Sequence, residues 1–189
     1  GSSHVVHMQK KGNTLQNTFN TIYTEESNAI FRFCYTRVSS REQALDLTQE
    51  TFLRLWQTLS DGKTVSNYRA FLFTVARHLI IDWYRKKKSL SLEGLAEEDE
   101  TKSYADPSDG STNIDRELDA EGRYVKEKIQ LLDATYRDAI HLRFVEGLPP
   151  TVIGRILGIS TNAVSVRINR GIEKLRFLTG YDIDTDGIA

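Results

Sequence analysis

The sequence has little cysteine, little proline and no long apolar run. Its single cysteine excludes an intrachain disulfide and a tetrahedral cysteine zinc site. Three prolines and twelve glycines in 189 residues favour long helices over a turn-rich β fold. No apolar stretch approaches the roughly 18 residues that a transmembrane helix needs, and no secretory signal is visible. We therefore expect a soluble, cytoplasmic protein without membrane insertion.

Cys34 itself has two interpretations. It stands at helical spacing from Phe31 and Val38, which favours a packed core thiol. The alternative is a reactive, redox-sensing thiol.

The formal net charge of −1 conceals alternating basic and acidic segments. Residues 9–88 carry 13 basic and 7 acidic side chains, residues 89–125 carry 3 and 11, and residues 126–178 carry 9 and 5. Basic folded segments are the electrostatic signature of a polyanionic partner. The acidic segment has few apolar residues to offset its ordering entropy, so we interpret it as a flexible linker.

Apolar periodicity predicts an all-α fold with two small helical domains. Residues 1–8 resemble an expression scar and are left out of the fold prediction. The two domains are residues 9–88 and 120–178. The acidic linker 89–119 joins them, and an acidic tail, 179–189, follows the second domain. Overlapping capping boxes at Ser39 and Ser40 open the second helix, and the third runs from after Ser66 or Asn67 to about Lys88. The predicted buried stripes of these two helices are Leu45, Thr48, Phe52, Leu55, Trp56 and Leu59, and Leu72, Val75, Ala76, Leu79 and Trp83.

A helix-turn-helix pattern begins at Pro150, which suits a first helical position. Gly154 is small where two helices must cross closely, Gly158 suits the left-handed residue that ends a helix, and Ser160 can cap the next helix. The second helix has an inward stripe of Val164, Ile168, Ile172 and Leu175. This geometry is typical of DNA binding, and the alternative is a structural hairpin with a solvated basic face.

The outward side of that second helix carries the side chains that predict DNA contacts. Short polar or methyl-bearing groups can reach base edges, whereas Arg and Lys hold phosphates. The candidate residues for DNA binding are Thr161, Asn162, Ser165, Val166, Arg167, Asn169, Arg170 and Lys174.

Two surfaces of the N-terminal domain are candidate binding sites. The first is an exposed leucine among charges on the second helix, which suits packing against a partner helix. A solvated surface without a partner explains the same pattern equally well. The residues are Asp46, Gln49, Glu50, Leu53 and Arg54. On the third helix, aromatics interleaved with cations suit the stacking of unpaired bases, and ordinary core packing is the open alternative. That stripe is Arg69, Phe73, Arg77 and Tyr84, followed by the basic run 85–88.

Three segments together resemble a known family. Residues 46–56, DLTQETFLRLW, resemble the core-binding helix of bacterial sigma factors, and residues 68–86 resemble the promoter-melting segment that follows it. Residues 142–176 resemble sigma region four. Because the chain has no room for the extra regions of primary sigma factors, the resemblance is to the extracytoplasmic-function group, which keeps regions two and four.

The resemblance implies a transcription initiation factor that is not an enzyme and needs no cofactor or metal. The face around Leu53 would grip a coiled coil on the largest subunit of core RNA polymerase, and the helix-turn-helix would read the upstream promoter element. The acidic linker would run toward the polymerase channels, where its charge imitates nucleic acid. Residues implied in melting and capture of the downstream element are Lys63, Asn67, Tyr68, Arg69, Phe73, Arg77, His78, Tyr84 and Arg85.

Departures from the family pattern give further expectations. His78 stands where asparagine is common, which changes the expected base preference. Ser165 and Val166 stand where the family usually has a cation and a serine, so we expect weak upstream recognition and help from an accessory recruiter. An anti-sigma factor is the other expected protein partner.

Two other functions compete with this one. A free-standing helix-turn-helix regulator would explain the C-terminal domain and leave the N-terminal motif unexplained. An enzyme would use His78 and Asp82, which lie four residues apart on one helix, but no nucleophile or glycine-rich phosphate loop accompanies them.

Overall fold

The computed structural model of the protein describes residues 2–92 and 120–180, and all regular structure within these two ranges is helical. The chain divides into two compact units, Gly1–Ser103 and Tyr104–Ala189. The predicted all-α, two-domain class is therefore confirmed. Most of the predicted linker and most of the predicted tail lie outside the described residues.

Three long helices form the described part of the N-terminal unit: α1 is Ser2–Val38, α2 is Arg41–Ser60 and α3 is Tyr68–Leu92. α1 therefore includes residues that the sequence assigns to the expression scar, and α3 continues four residues beyond its expected end. The Ser40 hydroxyl accepts a hydrogen bond from the Gln43 backbone N–H (3.4 Å), so the second of the two overlapping capping boxes opens α2. Ser39 adopts a left-handed φ of 53° and makes the turn between α1 and α2.

Aromatic and aliphatic side chains from all three helices form the core of this unit. Phe33 of α1 meets Phe73 of α3 edge to face, with ring centroids 5.4 Å apart and an interplanar angle of 84°. Both rings are fully buried. The other fully buried residues of this core are Ile30, Cys34, Ala44, Thr51, Leu55, Leu72, Ala76 and Ile80.

The predicted buried stripe of α2 is wrong at Leu45, which is 41% exposed. The stripe that packs against α1 and α3 is instead centred one position earlier, on Ala44 and Leu47. Thr48 and Thr51 complete it, because each hydroxyl donates 2.7 Å to a carbonyl one turn earlier and is thereby satisfied away from water. In α3, the expected core residues Val75 and Trp83 are only partly buried.

Cys34 is a core residue. Its side chain is fully buried, and burial raises the pKa of the thiol to about 12, although the Thr48 hydroxyl and the Arg37 charge act in the opposite direction. The thiolate is the reactive form of cysteine, and it is scarce at neutral pH under these conditions. The structure therefore supports the packed-core interpretation of Cys34.

The C-terminal unit is built from four α-helices and one π-helical turn in the part of it that is described. α4 is Ala120–Gln130, α5 is Ala134–Ile140, the π-helical turn is His141–Val145, α6 is Pro150–Leu157 and α7 is Thr161–Thr179. A buried pair, His141 Nε2 and Glu146 Oε1 at 3.0 Å, closes the π-helical turn. This turn leads into the helix-turn-helix formed by α6 and α7.

The turn between α6 and α7 has the predicted chemistry. Pro150 occupies the first helical position, and Gly158 ends α6 with φ of 67° and ψ of 35°. The Ser160 hydroxyl caps α7 by accepting from the Ala163 N–H (3.1 Å). Gly154 is required for the close crossing, because a Cβ there would lie 2.8 Å from the Ile159 carbonyl oxygen. The helix-turn-helix prediction is confirmed in its geometry.

We expect the substitution Phe73→Ala to lower the free energy of unfolding of the N-terminal unit by about 3–5 kcal/mol, because it leaves a cavity opposite Phe33. Both tryptophans of the sequence, Trp56 and Trp83, lie in this unit. Urea unfolding followed by tryptophan fluorescence therefore measures the stability of this unit. The control Leu53→Ala removes a half-exposed side chain and should change stability by only about 0.5 kcal/mol. Equal stability of the two variants would contradict the core position of Phe73.

Candidate nucleic-acid and partner interfaces

The outer side of α2 presents a continuous exposed face. Five side chains at helical spacings of three and four point away from the core, and all are exposed: Asp46, Gln49, Glu50, Leu53 and Arg54. Leu53, at 48% exposure, lies at the centre of this face, and Glu50 and Arg54 form a surface ion pair of 3.4 Å. We call these five residues the α2 face. An apolar centre flanked by charges is suited to packing against a partner helix.

The loop between α2 and α3 brings three of the predicted DNA-binding residues together. Lys63 is exposed, and Tyr68 begins α3 with its side chain half-buried. The Asn67 side chain caps α3, because its Oδ1 accepts from the Ala70 N–H at 3.0 Å. Arg69 follows and pairs with Glu26 of α1 (Nε to Oε2, 2.9 Å), which ties the start of α3 to α1.

The structure contradicts one residue of the predicted base-stacking stripe. Phe73 has no exposed surface, because its ring packs against Phe33 in the core, so it offers no stacking surface to a base. The alternative interpretation, an ordinary core aromatic, is correct at this position. Arg77 is partly buried, whereas His78 on the adjacent position is exposed.

The C-terminal part of α3 carries an aromatic surface that is held in place. The Tyr84 hydroxyl donates a hydrogen bond to the Arg37 carbonyl, while 41% of the residue stays exposed. Trp83 packs edge to face on Tyr84 with centroids 4.8 Å apart, and its indole N–H donates to Gln43 Oε1 (3.2 Å). Arg85 next to it is exposed and lies 3.8 Å from Asp82. A fixed, half-exposed ring beside a cation is suited to stacking on a base.

The recognition helix α7 separates its two sides as predicted. Val164, Ile168, Ile172 and Leu175 are buried. Of the predicted DNA-binding residues, Arg167 is partly buried, and seven are exposed: Thr161, Asn162, Ser165, Val166, Asn169, Arg170 and Lys174. The Lys174 ammonium lies 5.0 Å from the centre of the Tyr136 ring, so it extends along the helix surface towards α5.

The C-terminal unit has an exposed apolar cleft that was not predicted from the sequence. Phe177 is 89% exposed and lines, with Leu131 and Leu178, a cleft of 380 Å³ that Glu173 and Lys174 border. Phe177 does not belong to the inward-facing stripe of α7, so its position in the sequence already indicates that this aromatic side chain is exposed.

The described residues contain neither a metal-binding cluster nor a membrane-spanning helix. No three His, Cys, Asp or Glu side chains within that part of the chain come together in a way that would hold a metal ion. His78 and Asp82 are both exposed on α3. None of the described helices combines the length and the apolar character needed to cross a membrane.

Comparison with known proteins identifies both units. Residues 22–90 match Sigma-70 region 2, and residues 122–175 match Sigma-70, region 4. The chain is 30% identical over 156 residues to the ECF RNA polymerase sigma factor SigL of Mycobacterium tuberculosis, covering 82% of this chain and 85% of the relative. It is 31% identical over 171 residues to the ECF RNA polymerase sigma factor SigW of Bacillus subtilis, covering 88% and 90%.

Solved structures show the same fold. The sigma factor RpoE of Bartonella quintana, solved in complex with the anti-sigma factor NepR, superposes with a TM-score of 0.70 at 23% identity, covering 88% of this chain and 99% of that one. CnrH, solved in complex with the cytosolic domain of CnrY, gives a TM-score of 0.64 at 21% identity, covering 93% and 96%. The chain therefore belongs to the extracytoplasmic-function sigma factors of the sigma-70 family, which are transcription initiation factors and not enzymes.

Proposed function

We propose that this sigma factor binds core RNA polymerase through the α2 face and delivers it to promoters. The observation that carries the proposal is that all five residues of the α2 face are exposed, with Leu53 at the centre, on a helix whose opposite side is buried. The exposed half of the Leu53 side chain does not contribute to the stability of the fold. Covering it with a partner removes apolar surface from water, which favours binding. The sigma factor resemblance assigns this partner as a coiled coil of the largest polymerase subunit.

The N-terminal unit then opens the downstream promoter element. The predicted residues that DNA can reach are Lys63 in the loop and, on α3, His78, Tyr84, Arg85 and the partly buried Tyr68. A base that leaves the DNA stack needs a new apolar or aromatic surface, and its phosphate needs a cation. Phe73 is buried against Phe33 and therefore does not touch the DNA. Arg69, held by Glu26, and Asn67, which caps α3, keep the loop in position.

The C-terminal unit contacts the upstream element through α7. Arg170 and Lys174 attract phosphates, while Asn162, Ser165 and Asn169 reach base edges. None of these exposed polar residues makes the bidentate cation-to-guanine contact that is the commonest specific one, which is worth about 1–3 kcal/mol. Discrimination between sequences is therefore modest, and promoter choice depends also on the N-terminal unit or on an accessory recruiter.

An anti-sigma factor is the second proposed protein partner. Two structures of similar fold are complexes, one of RpoE with the anti-sigma factor NepR and the other of CnrH with the cytosolic domain of CnrY. In the present chain, the exposed Phe177 and Leu131 provide an apolar surface on the C-terminal unit that such a partner would cover.

We expect Leu53→Asp to weaken binding to core polymerase by a few kcal/mol, because it places a charge at the apolar centre of a helix-on-helix contact. A pull-down with purified core polymerase measures the loss. The control Leu90→Asp makes the same change at an exposed leucine of α3 and should leave binding unchanged. Equal binding by a folded Leu53→Asp variant would refute the proposed contact.

We expect Tyr68→Ala to reduce open-complex formation on duplex promoters more than on premelted ones, because the captured base loses part of its binding surface. The conservative variant Tyr68→Phe retains the ring and should stay close to the wild type. Permanganate footprinting of thymines in the polymerase complex measures the opened DNA. If Tyr68→Ala loses activity equally on both templates, the defect lies in folding or in polymerase binding.

The cations and the amides of α7 should have separable effects on DNA binding by the full chain. Arg170→Gln should lower affinity alike for promoter and scrambled duplexes and flatten the slope of log affinity against log salt by about one unit. Asn169→Ala should lower affinity for the promoter alone and leave the slope unchanged, because base contacts carry the sequence information. Titrations at several salt concentrations test both variants, and a promoter-specific loss in Arg170→Gln would contradict this division.

A further inference from the structure

A groove in the N-terminal unit lies between the start of α1 and the loop that follows α2. It has a volume of 820 Å³ and is bordered by Lys10 and Lys11 on one side and by Lys63 on the other. Among the described residues, no acidic side chain lines it. Three lysines therefore border the groove, and the nearest acidic residue in the loop sequence is Asp61, which is exposed and lies between the lining residues Ser60 and Gly62.

The α1 side of this groove follows from helical spacing. Lys10 and Thr14 lie four residues apart, as do Lys11 and Leu15, so both lysines share the side of α1 that faces the loop. The Thr14 hydroxyl donates to the Lys10 carbonyl (2.9 Å) and is therefore satisfied within the helix. Both lysines are exposed, and neither has a carboxylate partner among the described residues.

The lining of the groove combines apolar and aromatic side chains with the hydroxyl side chains of Thr14, Thr18, Ser60 and Thr64. Leu15, Leu59 and Val65 contribute aliphatic surface, and Tyr68 contributes a ring. A planar base fits such a surface, and the cations at the rim match the phosphates on either side of the base. Paired DNA keeps its bases stacked inside the duplex and offers no such base, so the chemistry favours an unpaired strand.

We propose that Lys10 and Lys11 bind the backbone phosphates of the unpaired promoter strand whose base enters this groove. The inference rests on the proposed melting function of the loop and adds α1 to the DNA-binding surface. With Lys63 on the opposite side, the strand is held from both sides while Tyr68 meets the base.

The test uses the polymerase complex of the full chain and a single-stranded oligonucleotide carrying the downstream element. Removing two phosphate contacts with Lys10→Gln/Lys11→Gln should flatten the slope of log affinity against log salt by about 1.4 units, since each contact contributes about 0.7 on single strands. The charge-matched control Lys126→Gln/Lys128→Gln lies in α4 and should keep the wild-type slope. Both groove lysines are exposed, so the variant should fold normally, as thermal unfolding will show.

Neutral methylphosphonate substitutions locate the contacts. Neutralising the phosphates beside the captured base should weaken binding of the wild type and of the control, and should have no further effect on Lys10→Gln/Lys11→Gln. An unchanged methylphosphonate pattern in that variant would overturn the inference. The inference would also be overturned if Lys10→Gln/Lys11→Gln left the affinity for the oligonucleotide unchanged but abolished binding of a peptide covering residues 93–119. That result would identify an acidic peptide as the occupant of the groove.

The experiment distinguishes a failure of the proposed α1 contacts from a failure of the proposed melting function. If Tyr68→Ala lowers strand binding and Lys10→Gln/Lys11→Gln does not, the role of α1 is wrong and the melting function of the loop stands. If the wild-type complex does not bind the unpaired strand at all, the melting function itself is wrong.

Discussion

The edge-to-face contact between Phe33 and Phe73 is the interaction on which the N-terminal unit depends. It fixes the rotation of α3 about its own axis relative to α1, because a helix that buries one side chain determines the direction of every other at about 100° per residue. With Phe73 inward, His78, which lies five residues later and about 140° away around the helix, is left accessible. The surface that we propose for DNA binding is therefore a consequence of core packing. A base-binding surface built in this way is rigid, since changing it requires repacking the core.

The C-terminal unit depends on a comparable steric constraint at Gly154. The backbone of the turn approaches α6 so closely that no side chain fits, and this approach sets the angle at which α7 leaves the turn. The buried pair of His141 and Glu146 stabilises the chain just before α6. In both units, the side chains that we propose as partner contacts are oriented by residues of the buried core.

Local features were predictable from sequence, whereas features that depend on distant contacts were not. The Ser160 cap, the Gly158 turn and the inward stripe of α7 require only neighbouring residues, and all three were predicted. Phe73 was ambiguous, because alternating aromatics and arginines fit a core and a base-binding surface equally, and its partner Phe33 lies 40 residues earlier in the chain. The cationic groove was not predicted, because Lys10 and Lys63 lie far apart in the sequence and border one groove only in the packed structure. The exposure of the α2 face followed from its periodicity, although Leu45 was misassigned by one position.

The burial of Cys34 has a practical consequence for studying this protein. Alkylating reagents attack the thiolate, so a thiol with no exposed surface and a pKa of about 12 reacts only when the surrounding helices separate. Because the sequence has no other cysteine, every labelled molecule reports an opening of the N-terminal unit and none reports the C-terminal one. The rate of alkylation thus measures the transient opening of one unit in the intact, unmodified chain, including while polymerase or DNA is bound.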